Sequence, residues 1–449
     1  MDISLEAYRN IVRNVARRRD VAALCGVNRA FRNAAERALY NTLTVSDEDP
    51  RACETLAASP RIASLVVALT VQFRRRHDEE EDGDRRDSEP SSVSESGEER
   101  SASRSSSRAR PIAGASAART RTPDDSYWPA VARALRNTTR LRHLTVDIAD
   151  PDDCGGAWVL EGCVFQLRTF HCDFDWDYAL CAFLATQSHL HDLSLRDYRE
   201  LEDLAAAKVD DGIQPAAIKN TNPLPPGRHH ESDETTTEPP SHALEHPISP
   251  GAVPPPIASP ALPALATLEC TFSEAAVVLV PGRPLTRLKT CFSRSDSAGK
   301  RAELVALLGA LRRSTVALRA LDIADVSYTE SGSMELLHRI SHTQATSREL
   351  RYLGTLALPI SGRKRLHFYG LLMRLSLLRC IEVDVSAWSP PPSSSPAFRA
   401  LAAELRLYCP DVDTVVFVHE FERTVVNTGG TGVLRIDDNA SPELFWREI

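Results

Sequence analysis

The sequence predicts an α/β chain in which strand–helix units stack as a solenoid behind three short N-terminal helices, with two long disordered insertions. Three observations predict it. A strand-type apolar pattern recurs ten times, two segments poor in apolar residues lie where its spacing is widest, and amphipathic helical segments fill the intervals. The 449 residues carry 53 Lys+Arg against 61 Asp+Glu, a net charge of −8, so the chain as a whole is no nucleic-acid polycation. At 42% hydrophobic residues it can bury a sizeable core.

Residues 1–45 break the repeat rhythm and read as a helical module. Leu5, Tyr8, Val12 and Val15 share one helical face. Asp20 is a natural N-cap for a second helix carrying Val21, Leu24 and Cys25, and Asn28 for a third carrying Phe31, Ala35, Ala38 and Leu39. So short a module buries little surface alone, and a partner or the adjoining units should complete its core.

The first solenoid unit occupies 46–73. Residues 74–126 follow as a charged, Ser-rich insertion: 74–122 hold 11 Arg and 11 Asp+Glu, with ten Ser between 88 and 107. Almost nothing apolar is present to offset ordering entropy, so disorder is expected. Ser103 and Ser107, each three residues after an arginine, resemble sites for basic-directed kinases and are candidate phosphosites; a tolerated surface insertion is the plainer reading. Repeats resume over 127–204. The stretch 205–261, with twelve Pro between 215 and 260, reads as an extended Pro-rich linker. Its His229, His230, His242 and His246 read as solvated side chains. Repeats fill 262–420, and 421–449 reads as a C-terminal hairpin or cap. The Gly429–Gly430 cluster lacks the Lys-Ser/Thr of a phosphate loop, so a turn is expected there.

The ten hits begin at Val66, Leu141, Leu167, Leu190, Leu265, Leu285, Leu318, Leu353, Leu378 and Val412. Successive starts differ by 75, 26, 23, 75, 20, 33, 35, 25 and 34, and both intervals of 75 contain an insertion. Removing 53 residues from one and 57 from the other leaves 22 and 18, so all spacings become 18 to 35. Helical segments between hits include Tyr127 to Asn137 (Trp128, Val131, Leu135), Asp175 to Gln187 (Tyr178, Cys181, Leu184), Gly299 to Arg312 (Leu304, Leu307, Leu308, Leu311) and Lys364 to Leu375. Strand–helix units of this length, each burying its neighbour's apolar face, make a solenoid. A non-repetitive α/β domain gives similar patterns and is the alternative.

With the spaced apolar residues pointing inward, the third, fifth and seventh positions line the concave face. These positions make His143, Asp147, His171, Asp173, Asp192, Arg196, Arg287 and Lys289 the candidate residues of a peptide-binding face, beside Thr145, Thr169, Ser194 and Glu269. The ten cysteines show no C-x-x-C pair, excluding the common zinc and redox spacings, and read as buried small hydrophobes. No metal or other cofactor is expected. The longest uncharged apolar run, Ala275 to Val280, is far short of a membrane span, and Arg9, Arg13 and Arg17 come too early for a signal peptide. The expected compartment is cytoplasmic and/or nuclear, with no nucleic-acid or membrane partner.

The strand pattern resembles that of leucine-rich repeats, although the family's Asn, eight positions after the first apolar residue, is absent from all ten units; Ser273, Ser293, Ser361 and Ser386 stand there in four. The N-terminal segments Leu5 to Val12, Asp20 to Phe31 with Val27-Asn28-Arg29-Ala30-Phe31-Arg32, and Ala38-Leu39-Tyr40 resemble an F-box. The whole is similar to fungal F-box proteins with degenerate leucine-rich repeats. The family's opening Leu-Pro falls on Ile3-Ser4, so the Pro is missing. The resemblance implies docking of Ile3, Leu5, Leu24, Val27 and Phe31 on the Skp-type adaptor of a cullin ubiquitin ligase. It implies a non-enzymatic subunit that recruits an as yet unidentified client protein to that ligase core. A ligase-independent protein-binding scaffold, its N-terminal helices serving only as a cap, is the competing expectation. An enzyme is disfavoured, since no phosphate loop, nucleophile elbow or metal cluster stands in the sequence.

Overall fold

A computed structural model describes residues 4–74, 124–149, 156–196, 257–258, 261–325, 328–392, 394–420, 422–428 and 433–449. The chain is α/β and divides into two compact units, ending and beginning at Phe165 and Gln166. Outside the described residues lie Ile3, Ser103, Ser107, Cys154, the four linker histidines, the Gly429–Gly430 cluster and nearly all of both expected insertions. At the insertion edges the expectation needs correction. Asp124 to Ser126 belong to a helix, and Ile257 is buried at 7% exposure, so order extends past both boundaries.

The first unit opens on helices α1 (Leu5–Arg13), α2 (Arg18–Leu24) and α3 (Arg29–Tyr40). Ser4 caps α1 by accepting the Ala7 N–H, and Asn28 caps α3 by accepting the Phe31 N–H at 2.9 Å. Asp20 is not a cap: α2 begins two residues earlier, and Asp20 sits in its first turn, where a carboxylate favours the helix dipole. Val12, Val21, Ala34 and Ala35 form the module's buried core. Three strands follow, β1 (Thr42–Ser46), β2 (Ala68–Phe73) and β3 (His143–Ile148), with helices α4 (Arg51–Ala58), α5 (Pro60–Ala63) and α6 (Asp124–Asn137) between them. The strands run parallel, with Leu43 beside Leu69 and Leu69 beside Leu144. Alternate residues are buried, and Phe73 meets Tyr127 and Trp128 with ring centroids 5.7 and 5.4 Å apart. Asn137 donates to the carbonyls of Leu56 and Ala57, satisfying acceptors at the end of α4.

In the second unit eight parallel strands follow in sequence order: β4 (Thr169–Cys172), β5 (Asp192–Leu195), β6 (Thr267–Cys270), β7 (Arg287–Cys291), β8 (Ala320–Ala324), β9 (Tyr352–Ala357), β10 (Cys380–Asp384) and β11 (Thr414–His419). The antiparallel β12 (Glu422–Thr428) and β13 (Leu434–Ile436) close the order. Helices α7 (Tyr178–Ala185), α8 (Ser273–Leu279), α9 (Ser297–Leu311), α10 (Glu330–His342), α11 (Gln344–Ser347), α12 (Gly362–Leu372) and α13 (Ser395–Tyr408) alternate with the strands; α14 (Phe445–Glu448) comes last. Leu304, Leu307, Leu308 and Leu311 of α9 are buried as their spacing demands. In α7 Cys181 and Leu184 are buried, but Tyr178 is 60% exposed; Leu180 and Phe183 take the inner face instead.

The register aligns Thr169, Asp192, Thr267, Arg287, Ala320, Tyr352, Cys380 and Thr414 in one row. Each is the third position of its apolar pattern, with one correction: β9 is phased from Leu350, not Leu353. The β9–β10 register shifts between Ile381 and Val383, so Gly354 and Thr355 together oppose Glu382, and that extra residue displaced the sequence pattern.

Two of the serines at the position of the missing asparagine, Ser273 and Ser293, link neighbouring strand–helix units. Ser273 Oγ donates to Glu303 at 3.0 Å, the Ser293 N–H donates to the same carboxylate at 2.8 Å, and Ser293 Oγ donates to Glu274. The Ser273 N–H reaches Ser293 Oγ at 3.3 Å. Serine is too short to bridge backbone groups alone, and glutamate supplies the missing reach. With β9 phased from Leu350, Ser361 no longer stands at that position and precedes α12 without a side-chain cap bond, and Ser386 Oγ bonds Asp384 at 2.6 Å.

Candidate functional site

Two surfaces bear on function, one in each unit. In the first unit, Leu24 and Phe31 lean on the helical core, and the Phe31 ring meets Tyr8 edge-on at 4.7 Å. Both are therefore half-buried packing residues. Leu5 and Val27 instead stand 49% and 60% exposed, and Ile11, which the sequence pattern did not single out, is 44% exposed. Apolar side chains so exposed on a module this small are available to a partner. His143 and Asp147 lie on β3 of this same unit; the other six client-binding candidates belong to the second.

In the second unit the third and fifth positions of β4 to β7 make a half-exposed polar strip, except that Ser194 is buried at 2% exposure. His171 Nε2 lies 3.6 Å from Asp192, and Lys289 Nζ lies 3.5 Å from Glu269. Arg447 of α14 joins both carboxylates. Its Nη1 is 2.7 and 2.6 Å from the two Asp192 oxygens, and its Nη2 is 2.8 Å from Glu269. Burial works to raise the pKa of Asp192 and of Glu269, but the surrounding cations outweigh it and hold both below the ordinary carboxylate range. Arg287, burdened by burial and by the neighbouring Arg319 and Arg447, has its pKa lowered. Of the other candidates, Asp173 is buried at 9% exposure, while Arg196 is exposed at the end of β5.

Over β8 to β10 the same row turns apolar, with Ala320, Tyr352 and Cys380, and Trp446 covers it. The indole is 2% exposed and packs with these three residues, Val416 and Val425. Its ring also lies 4.4 Å from the Arg447 guanidinium and 5.9 Å from Lys289 Nζ. Residues 445–448 thus lie along the strip on which the client residues were expected, and Asp192 and Lys289 already have partners within the chain.

Beside Trp446 lies a buried acidic pair that the concave-face candidates do not include. Glu382 accepts from Tyr352 Oη at 2.6 Å and Thr355 Oγ1 at 3.1 Å, with Arg423 at 3.5 Å. Asp322 is 8% exposed, and its Oδ1 has no hydrogen-bond partner among the described residues. Both acids occupy fifth positions, so the rule that named Glu269 could have named them too. Burial first, and then the Glu382 charge, push the Asp322 carboxyl up to about 7. The folded state then binds this proton more tightly than the unfolded chain. Its stabilising contribution is complete below the ordinary value of 3.8 and is lost as pH rises through about 7. The second unit should accordingly melt lower at pH 8 than at pH 5.5. Asp322→Asn should flatten that difference, which is on the order of a few kcal/mol, in a melting series.

Among the described residues no group of three or more His, Cys, Asp or Glu could hold a metal ion. No described helix is long and apolar enough to cross a membrane. Cys53, Cys181 and Cys270 have thiols pushed up to about 12 by burial, which suits packing rather than nucleophilic chemistry. Chemically the two surfaces offer apolar contact and charge-assisted hydrogen bonds, the means of docking a partner. The sequence matches no protein-family model and no curated protein.

Proposed function

We propose that the chain is a non-enzymatic, substrate-recruiting subunit of a Skp–cullin–F-box type ubiquitin ligase, built as a leucine-rich-repeat-like solenoid behind an F-box-like module. The observation that carries it is a three-helix module with its own core that still leaves Leu5 and Val27 largely exposed. In this proposal those two side chains meet the adaptor, while Leu24 and Phe31 hold the module together. The in-phase strands and the serine–glutamate links between units support the solenoid. The mechanism is proximity: a client held on the strand face reaches a high effective concentration beside the ligase's charged conjugating enzyme.

Co-elution of the full chain with the adaptor subunit tests this. Wild type should form a 1:1 complex, and Leu5→Asp with Val27→Asp should abolish it while leaving the helical spectrum and melting unchanged. A folded wild-type chain that elutes apart from the adaptor would sink the proposal.

A ligase-independent scaffold is the second reading, and one contact favours it. Glu36 of α3 accepts a two-point bond from Arg61 at 2.6 and 3.2 Å, tying the module to the first strand–helix unit as a cap would be tied.

A further inference from the structure

We propose that the face from β5 to β10 is a peptide-docking site, that residues 440–449 occupy it in cis, and that its client presents a large aromatic residue followed directly by arginine. The inference deepens the recruiting proposal and rests on its premise that the chain binds a protein.

The segment has little means of ordering itself. It comprises a 3-10 turn, Pro442–Leu444, and the four-residue α14, far below the length at which a helix is stable alone. Its order therefore comes from what it touches. Two adjacent residues make the principal contacts: Trp446 in the apolar end of the strip and Arg447 on the acidic end. Ala440, Phe445 and Ile449 add partly buried packing around the indole. A buried aromatic beside a two-carboxylate arginine clamp is the anchor arrangement by which short peptides are held at interfaces.

The face is also furnished to survive the segment's departure. Glu269 keeps the Lys289 ammonium at 3.5 Å, and Asp192, about a quarter exposed, keeps the His171 ring at 3.6 Å and contact with solvent, so the loss of Arg447 leaves neither carboxylate sealed away from polar surroundings. An incoming peptide with the same aromatic–Arg pair would meet the same apolar row and the same two carboxylates, after displacing an occupant that competes at the millimolar effective concentration of a short tether.

The test uses a fluorescein-labelled peptide of residues 440–449 and fluorescence anisotropy. The proteins are the wild-type chain, a chain stopped at Asn439, and the full chain carrying Trp446→Ala with Arg447→Ala. The last two should bind the peptide at least tenfold more tightly than wild type. Adding Asp192→Asn with Glu269→Gln to the shortened chain, or replacing Arg by Glu in the peptide, should weaken binding at least tenfold. Folded variants that ignore the peptide would overturn the inference, as would loss of cooperative melting in both, since residues 440–449 would then be part of the core. Adaptor co-elution on the same preparations separates the two claims. Adaptor binding without peptide binding removes the inference alone, and peptide binding without the adaptor removes the ligase reading alone.

Discussion

Arg283→Leu should lower the opening free energy of β6 and β7 by about 3–5 kcal/mol, read as faster hydrogen exchange of their backbone amides. Arg283 is 1% exposed, and carbonyl oxygens are its hydrogen-bond acceptors. Nε donates to Ala261 at 2.9 Å, and Nη2 to Ala258 at 3.2 Å. Nη1 reaches Val278, Leu279 and Pro281 at 3.1, 2.9 and 3.2 Å. Val278 and Leu279 close α8, so the guanidinium supplies donors to carbonyls that a helix end leaves unpaired and places a cation at the negative end of its dipole. It also stitches the segment entering β6 to the loop entering β7. Burial lowers its pKa, yet a guanidinium remains charged at any pH the fold survives. Leucine would leave these acceptors without the donors they have now. Arg283→Lys should recover only a minor part, because one ammonium cannot reach both sides of the planar fork.

Gly354→Ala should cost the second unit about 3 kcal/mol in chemical denaturation, unusually much for one methyl group. An added Cβ would stand 2.8 Å from the Asp322 Cα and closer still to its carboxylate. The backbone of β8 would have to move, in a strand whose five residues are mostly buried. The irregular register of β9 against β10 places Gly354 there, and the glycine gives Asp322 the room its side chain occupies. The double variant Gly354→Ala with Asp322→Ala should regain part of the loss, since the carboxylate clash disappears while the crowding against the β8 backbone stays.

The strand phase was legible because one face of each strand is buried, and a slip by one residue would expose Leu193, Leu268 or Leu288. Where β9 takes an extra residue the periodic signal slid to Leu353. The helix faces were legible where leucines mark them, as in α9, and misread in α7, where Tyr178 matched the spacing but not the burial. Arg447 could not be found in the same way. Its contact with Asp192 spans 255 residues, and no local period connects the two. A clue did exist in Ala320 and Cys380, apolar residues at positions that would otherwise face water. Arg283 gave none, for a buried arginine and a surface arginine read alike in a sequence. Of the adaptor candidates, Leu24 and Phe31 illustrate the limit of pattern reading. An apolar helical residue packs inward or outward according to its neighbours, and the structure alone shows that Leu5 and Val27 are the exposed ones.

Ubiquitin transfer in a reconstituted ligase tests the recruiting mechanism most directly. The chain would be combined with adaptor, cullin core and ubiquitin-charged conjugating enzyme, with a carrier protein bearing the 440–449 peptide as client. Proximity catalysis predicts conjugates on the carrier with the chain stopped at Asn439, none without the chain, and at least a tenfold loss with Leu5→Asp and Val27→Asp. Equal conjugation with and without those exposed side chains would contradict it.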